Sequence, residues 1–143
     1  MVVAYESRSR HTAEAANRIA DAFETYRAQV GMVPLGSLAP ERLVATDLLV
    51  IGTWVEGLVL AAVGPAKAAM AAIERLRRLA GMPVGIFCTN FNPGGTLKTL
   101  QSVIEARDGQ VIETAAFGRW RPVTPRSFAA GCSWSFRSVG PAR

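Results

Sequence analysis

Between residues 5 and 12 the chain reads Tyr5-Glu6-Ser7-Arg8-Ser9-Arg10-His11-Thr12, with the chain's single histidine among them. Hydroxyls donate hydrogen bonds, and guanidinium groups make charge-assisted bonds to oxyanions. If a helix starts here, its first backbone N–H groups point outward unpaired, with the positive end of the helix dipole behind them. Such a stretch can seat a phosphate. The same residues would also serve as an ordinary helix cap with arginines facing water. This stretch alone leaves both readings open.

Two later stretches carry flat side chains at comparable places. Gly52-Thr53-Trp54-Val55-Glu56-Gly57 puts Trp54 at the end of an apolar run, and Cys88-Thr89-Asn90-Phe91-Asn92-Pro93-Gly94-Gly95 does the same with Phe91. Two aromatics at neighbouring strand ends could sandwich a planar ring system, each stacked contact contributing about 0.5–1.5 kcal/mol beyond area burial. Gly57, Gly94 and Gly95 permit close backbone approach. A lone Trp or Phe is more often core or plain surface, so the weight lies in the two occurring together with the anion-suited stretch.

The elements that must position these residues follow from apolar periodicity. Apolar runs mark buried strands at 1–5, 47–53 and 83–89, and 29–35 and 110–117 read as two further strands. A helical period runs from Thr12, with Ala16, Ile19, Ala20 and Phe23 on one face and Glu14 in the first turn. Residues 39–45 suggest a short helix. Residues 66–80 suggest a longer one, with Ala69, Ile73, Leu76 and Ala80 inward and Gly81 as its stop. Residues 96–107 suggest a third, with Leu97, Leu100 and Ile104 inward. Strand–helix alternation predicts a parallel sheet with helices on both faces, and right-handed crossovers make it a doubly wound, three-layer α/β domain. Ligands in such sheets bind beyond the carboxyl ends of the strands. The loops at 6–12, 53–65 and 89–96 all emerge there.

Composition bounds the function. The chain has 143 residues, 50% of them hydrophobic, which suits one folded domain. Two cysteines and one histidine offer neither a disulfide framework nor a metal cluster. The apolar stretch 58–73 is broken by Gly64, Pro65 and Lys67, and no apolar leader opens the chain. We therefore expect a cytoplasmic protein without a membrane span. The net charge of +5 is uneven: residues 114–143 hold five arginines (119, 121, 126, 137 and 143) and no acid. That segment carries Pro122, Pro125, Gly131, Gly140 and Pro141 among the aromatics Trp120, Phe128, Trp134 and Phe136. It reads as an irregular segment, 118–143, appended to a domain at 1–117. Its aromatics are expected to be buried across a sheet face or under a second subunit.

With these motifs in order, residues 1–117 resemble the flavodoxin family. Ser7, Ser9 and Thr12 match the hydroxyl positions of that family's phosphate loop. Arg10 stands where the family usually has glycine, and His11 where asparagine is common. An arginine there would be strained if the backbone needs a positive φ. "DLLVIGTWVEGL" and "PVGIFCTNFNPGG" are similar to the two strands whose loops flank the family's flavin. The resemblance implies a five-stranded sheet of order 2-1-3-4-5 and non-covalent FMN. By carry-over, Ser7, Arg8, Ser9, Arg10, His11 and Thr12 would hold the phosphate. Thr53, Trp54, Val55 and Gly57 would line one side of the ring, Thr89, Phe91 and Gly94 the other, and Asn90 with nearby backbone amides would meet its polar edge. The atypical C-terminal segment would replace the family's last helix.

The resemblance points to electron transfer or a small FMN-dependent oxidoreductase, with a redox partner protein or a small-molecule acceptor. The alternative is an interaction module that kept the fold and lost the flavin. A homodimer would fit the uncovered face. Nucleic-acid binding by the basic tail rests on arginines and aromatics alone.

Overall fold

Residues 2–5 are apolar on both sides of the pleat, so they form a strand only where both faces can be covered. In the computed structural model they do. Strand β1 (Val2–Tyr5) lies between β2 (Gly31–Pro34) and β3 (Leu49–Leu58), parallel to both. Strands β5 (Pro83–Thr89) and β6 (Gln110–Phe117) continue the parallel sheet beyond β3, giving the order β2-β1-β3-β5-β6. This is the expected 2-1-3-4-5 winding with one addition: β4 (Ala61–Pro65) pairs antiparallel with the outer half of β3. The structure describes residues 1–8, 10–58, 61–76, 79–89, 93–118 and 124–139, excluding the side chains of 56–58, 61–63, 93, 94 and 139.

Alternation along the strands divides the core. Val2, Ala4, Leu49, Ile51, Val84 and Ile86 face α3 (Lys67–Arg75) and α4 (Pro93–Glu105). Val3, Val50 and Phe87 face α1 (Arg10–Glu24) and α5 (Pro125–Val139). Period-two alternation of an all-apolar run does this only in a sheet covered on both faces. The short α2 (Pro40–Val44) lies between β2 and β3 in the chain and buries none of its residues.

Four expectations need correction. Residues 54–58 and 61–65 are strand and not loop: β3 runs on to Leu58 and pairs with β4, so Trp54 lies inside a strand, paired in register with Thr89. Helix α1 begins at Arg10, which leaves Glu14 outside the first turn. Helix α4 begins at Pro93, so part of the expected 89–96 loop is its first turn. Helix α3 ends at Arg75, and Ala80 is exposed in a tight turn. There Met82 N–H donates to Leu79 O at 3.0 Å, and Ala80 and Gly81 have φ of 51° and 76°. Two successive positive φ values favour Asn-Gly or Gly-Gly, not Ala-Gly. Replacing Ala80 by Asn is expected to stabilise the fold by about 1 kcal/mol, read as a raised urea midpoint at unchanged slope.

The largest correction is at the C-terminus, where residues 125–139 form a helix in the layer of α1. Proline and glycine there do not break structure. Thr124 and Ser127 cap the helix reciprocally: Ser127 N–H donates to Thr124 Oγ1 at 3.1 Å and Thr124 N–H donates to Ser127 Oγ at 3.0 Å. Pro125 occupies the first turn, where no N–H is needed. Gly131 lies where α5 crosses β6, and a Cβ there would collide with the Glu113 carboxylate. Phe128 and Cys132 are buried and Phe136 is half-buried, as expected of the tail's aromatics, but Trp134 is 71% exposed. Trp120 lies outside the described residues. Burial, reinforced by Glu113, pushes the Cys132 thiol far above its usual range.

Candidate functional site

The parallel sheet brings the carboxyl ends of β1, β3 and β5 side by side, because β1 and β5 are the two neighbours of β3. The chain leaves β1 at Glu6, whose N–H donates to Gly52 O of β3 at 2.8 Å. That bond holds the start of the loop against the neighbouring strand. Ser7 is half-buried, and Arg8, Arg10 and His11 are exposed. Arg10 opens α1 with ordinary helical backbone; among the described residues only Arg27, Ala80 and Asp108 combine a side chain with positive φ. The strain expected for an arginine at this place is therefore absent.

The first turn of α1 contains no acid and carries Arg10, with Arg8 just before it. Cations at the positive end of a helix dipole are unfavourable, and an anion seated there relieves both. Helices of ordinary design place Asp or Glu at this end. The charge arrangement here is the reverse, and it suits a phosphate.

Among the described residues, the buried polar side chains are four threonines: Thr12, Thr53, Thr89 and Thr96. All four belong to this rim. Thr12 Oγ1 and Thr89 Oγ1 hydrogen-bond at 2.8 Å, joining the first turn of α1 to the end of β5. Thr53 Oγ1 donates to Trp54 O at 3.0 Å and accepts from Ala66 N–H at 3.4 Å, which ties β3 to the start of α3. Thr96, in the first helical turns of α4, has a buried hydroxyl with no hydrogen-bond partner. A buried unpaired hydroxyl costs about 1–3 kcal/mol. Thr12 is fully buried, so the structure places its hydroxyl as a brace and not on the accessible surface of the seat.

Trp54 is half-buried and packs against the α3/α4 side of the core. The Arg8 guanidinium lies over its ring, 5.6 Å from the centroid. Such contacts contribute about 0.5–1 kcal/mol at exposed sites. Val55 is half-buried and paired with Pro65, and Gly57 lies within β3. Gly94 falls in the first turn of α4. Ser9, Asn90 and Phe91 lie outside the described residues, so the second aromatic wall is not among the described geometry. Sequence reading missed Thr96 and the Arg8–Trp54 contact. The first carried no local signal; the second follows once β1 and β3 are known to be neighbours.

The Thr12–Thr89 pair yields a non-additive prediction. Thr12→Val and Thr89→Val are each expected to cost about 1–3 kcal/mol, because each strands a buried hydroxyl. The double variant, with no hydroxyl left to satisfy, is expected to cost less than the sum of the singles. Urea unfolding of the four proteins measures the coupling.

No family model matches the chain, and no curated protein matches it. Solved structures do. The two-electron reduced flavodoxin of Megasphaera elsdenii superposes with a TM-score of 0.76 at 19% identity, covering 94% of this chain and 99% of that one. The fold is flavodoxin-like. A flavodoxin from Streptococcus pneumoniae TIGR4 gives 0.75 at 13% identity, covering 93% of this chain and 97% of that one. The flavodiiron core of Flv1 from Synechocystis sp. PCC6803 gives 0.70 at 12% identity, with 96% of this chain matching 35% of that one. At these identities the likeness establishes the fold alone. The helix α5 completes it, where the sequence reading expected an irregular substitute. Among the described residues, no helix is long and apolar enough to cross a membrane and no cluster of metal-ligating side chains occurs.

Proposed function

We propose that this flavodoxin-like protein binds FMN at the carboxyl rim of its sheet and acts in electron transfer, or as a small FMN-dependent oxidoreductase, in the cytoplasm. The observation that carries the reading is the inverted charge at the start of α1: Arg8 and Arg10 at a helix N-terminus with no acid in its first turn. An alkyl phosphate satisfies that arrangement. The residues present fit the group on one further count. The half-buried Trp54 offers a ring face where β3 passes from its pairing with β5 to its pairing with β4.

Bound FMN would supply the one- and two-electron redox chemistry. The chain's own residues would do the rest. Arg10 and the first N–H groups of α1 would neutralise the phosphate. Ser7 and Ser9 would donate hydroxyl bonds to it, as the phosphate loop they resemble does. Thr12 and Thr89 would keep α1 and β5 at fixed separation, and Trp54 would shield one ring face from water. Arg8, between the loop and the indole, would place positive charge beside the ring and favour electron uptake. The other half of the exchange would come from a redox protein or a small-molecule acceptor.

The test is a visible spectrum of the purified protein, repeated after adding FMN. A flavin band in the isolated protein, or stoichiometric uptake on titration, supports the reading. A second reading is an interaction module without flavin, favoured by one observation: Arg8 already covers a face of Trp54. Colourless protein that fails to take up added FMN would decide for it.

A further inference from the structure

We infer that Arg8 makes the site selective for a phosphorylated flavin: its guanidinium covers the face of Trp54 that the ring needs, and a phosphate at the start of α1 draws it away. The inference rests on the flavin reading and adds to it an energetic link between the phosphate half of the site and the ring half.

Trp54 is half-buried and packs against the α3/α4 side of the core. Arg8 is exposed, and its guanidinium lies 5.6 Å from the indole centroid. The ring face under an exposed group is the face turned to solvent. A planar ligand arriving from solvent needs that same face. Arg8 and a flavin ring therefore compete for one surface.

The same residue stands two positions before α1, whose first turn carries Arg10 and no acid. A phosphate held by the first N–H groups of α1 is within reach of an arginine so close in the chain. A guanidinium over an exposed indole is held weakly, and a charge-assisted bond to phosphate is the stronger contact. The phosphate therefore wins, and Arg8 turns to it from the indole. A flavin without a phosphate brings no such competitor and must displace Arg8 unaided. A contact of the strength usual at exposed sites keeps the ring face covered most of the time, which lowers the apparent affinity for the ring about three- to sixfold. FMN removes that handicap through its own phosphate; riboflavin bears it in full.

The experiment uses the full chain, freed of flavin and kept in phosphate-free buffer, with FMN, riboflavin and inorganic phosphate as probes. Saturating inorganic phosphate is expected to raise riboflavin affinity about three- to sixfold, and riboflavin to raise phosphate affinity by the same factor. Chloride at equal ionic strength should do neither. Arg8→Ala is expected to raise riboflavin affinity about three- to sixfold without phosphate and to abolish the phosphate effect. Its preference for FMN over riboflavin should fall at least about tenfold, the loss of one charge-assisted bond. In ¹⁵N-labelled protein the Trp54 indole N–H signal, assigned by its loss in Trp54→Phe, should shift with phosphate alone in the parent and not in Arg8→Ala. Protein that binds FMN but shows no phosphate effect on riboflavin overturns the proposal and leaves the flavin reading standing. So does a phosphate effect that chloride reproduces or that survives in Arg8→Ala. A fall in riboflavin affinity in Arg8→Ala also overturns it, since Arg8 would then help to grip the ring. Protein that takes up neither flavin removes the flavin reading and the proposal with it.

Discussion

Replacing Arg8 and Arg10 together by glutamate is expected to weaken FMN binding by at least about a hundredfold, since each lost charge-assisted contact costs about 1.5–3 kcal/mol. The same change is expected to leave the flavin-free protein as stable as before, or more stable. A glutamate opening α1 would sit favourably at the positive end of the dipole, where Arg10 now sits unfavourably. Loss of the Arg8 contact with Trp54 offsets only part of that gain. Affinity and stability therefore move in opposite directions, which a general unfolding effect cannot produce. Flavin fluorescence titration reads the first and urea unfolding the second. Riboflavin, which lacks the phosphate, serves as the control: its affinity should change far less than that of FMN. Equal loss for both ligands would place the phosphate elsewhere.

Gly52→Ala is expected to destabilise the fold by about 3 kcal/mol or more, at the upper end of overpacking costs. Gly52 lies in β3 between Tyr5 and Phe87 of the neighbouring strands, and a Cβ there would fall inside the Phe87 ring. That ring cannot move aside. Phe87 is fully buried, with Phe117 5.6 Å and Phe128 6.2 Å from it between centroids. The measurement is a urea midpoint in the parent and in a Phe87→Leu background, where a smaller, non-planar side chain leaves space. Most of the Gly52→Ala cost should vanish in that background. An unchanged cost would mean that strand conformation at Gly52, and not the ring, sets the requirement. Because β3 also carries Thr53 and Trp54, the same substitution should lower FMN uptake through displacement of the rim.

The strands were the most legible part of this chain. Runs such as 83–89 are apolar at every position but the last, and only a sheet covered on both faces accommodates that, so the layered architecture follows directly, although the outer half of β3 and its partner β4 did not. Helix limits were less legible. Leu76 and Leu79 continue the apolar period of α3, yet Leu76 is already extended, and the turn closed by Leu79 and Met82 is tied to the end of α4 through Arg107 O and Asp108 O. Apolar spacing reports burial, and a buried turn satisfies it as well as a helix does. Helix α5 escapes a sequence reading for a related reason. Gly131 and Pro125 look like breakers in the chain, but one permits close approach to β6 and the other opens the helix.

By itself the sequence determined that the fold is a covered parallel sheet, that hydroxyls and cations meet a helix start after the first strand, and that the last thirty residues are basic without an acid among them. These are local properties: periodicity and the identity of neighbours in the chain. Only tertiary structure decided that Arg8 lies over Trp54, that Thr12 is spent on Thr89, and that residues 125–139 form a helix leaving Trp134 in solvent. Each depends on which strands are adjacent and how closely two backbones approach. Both are settled by packing across the whole sheet, over separations that no stretch of sequence spans.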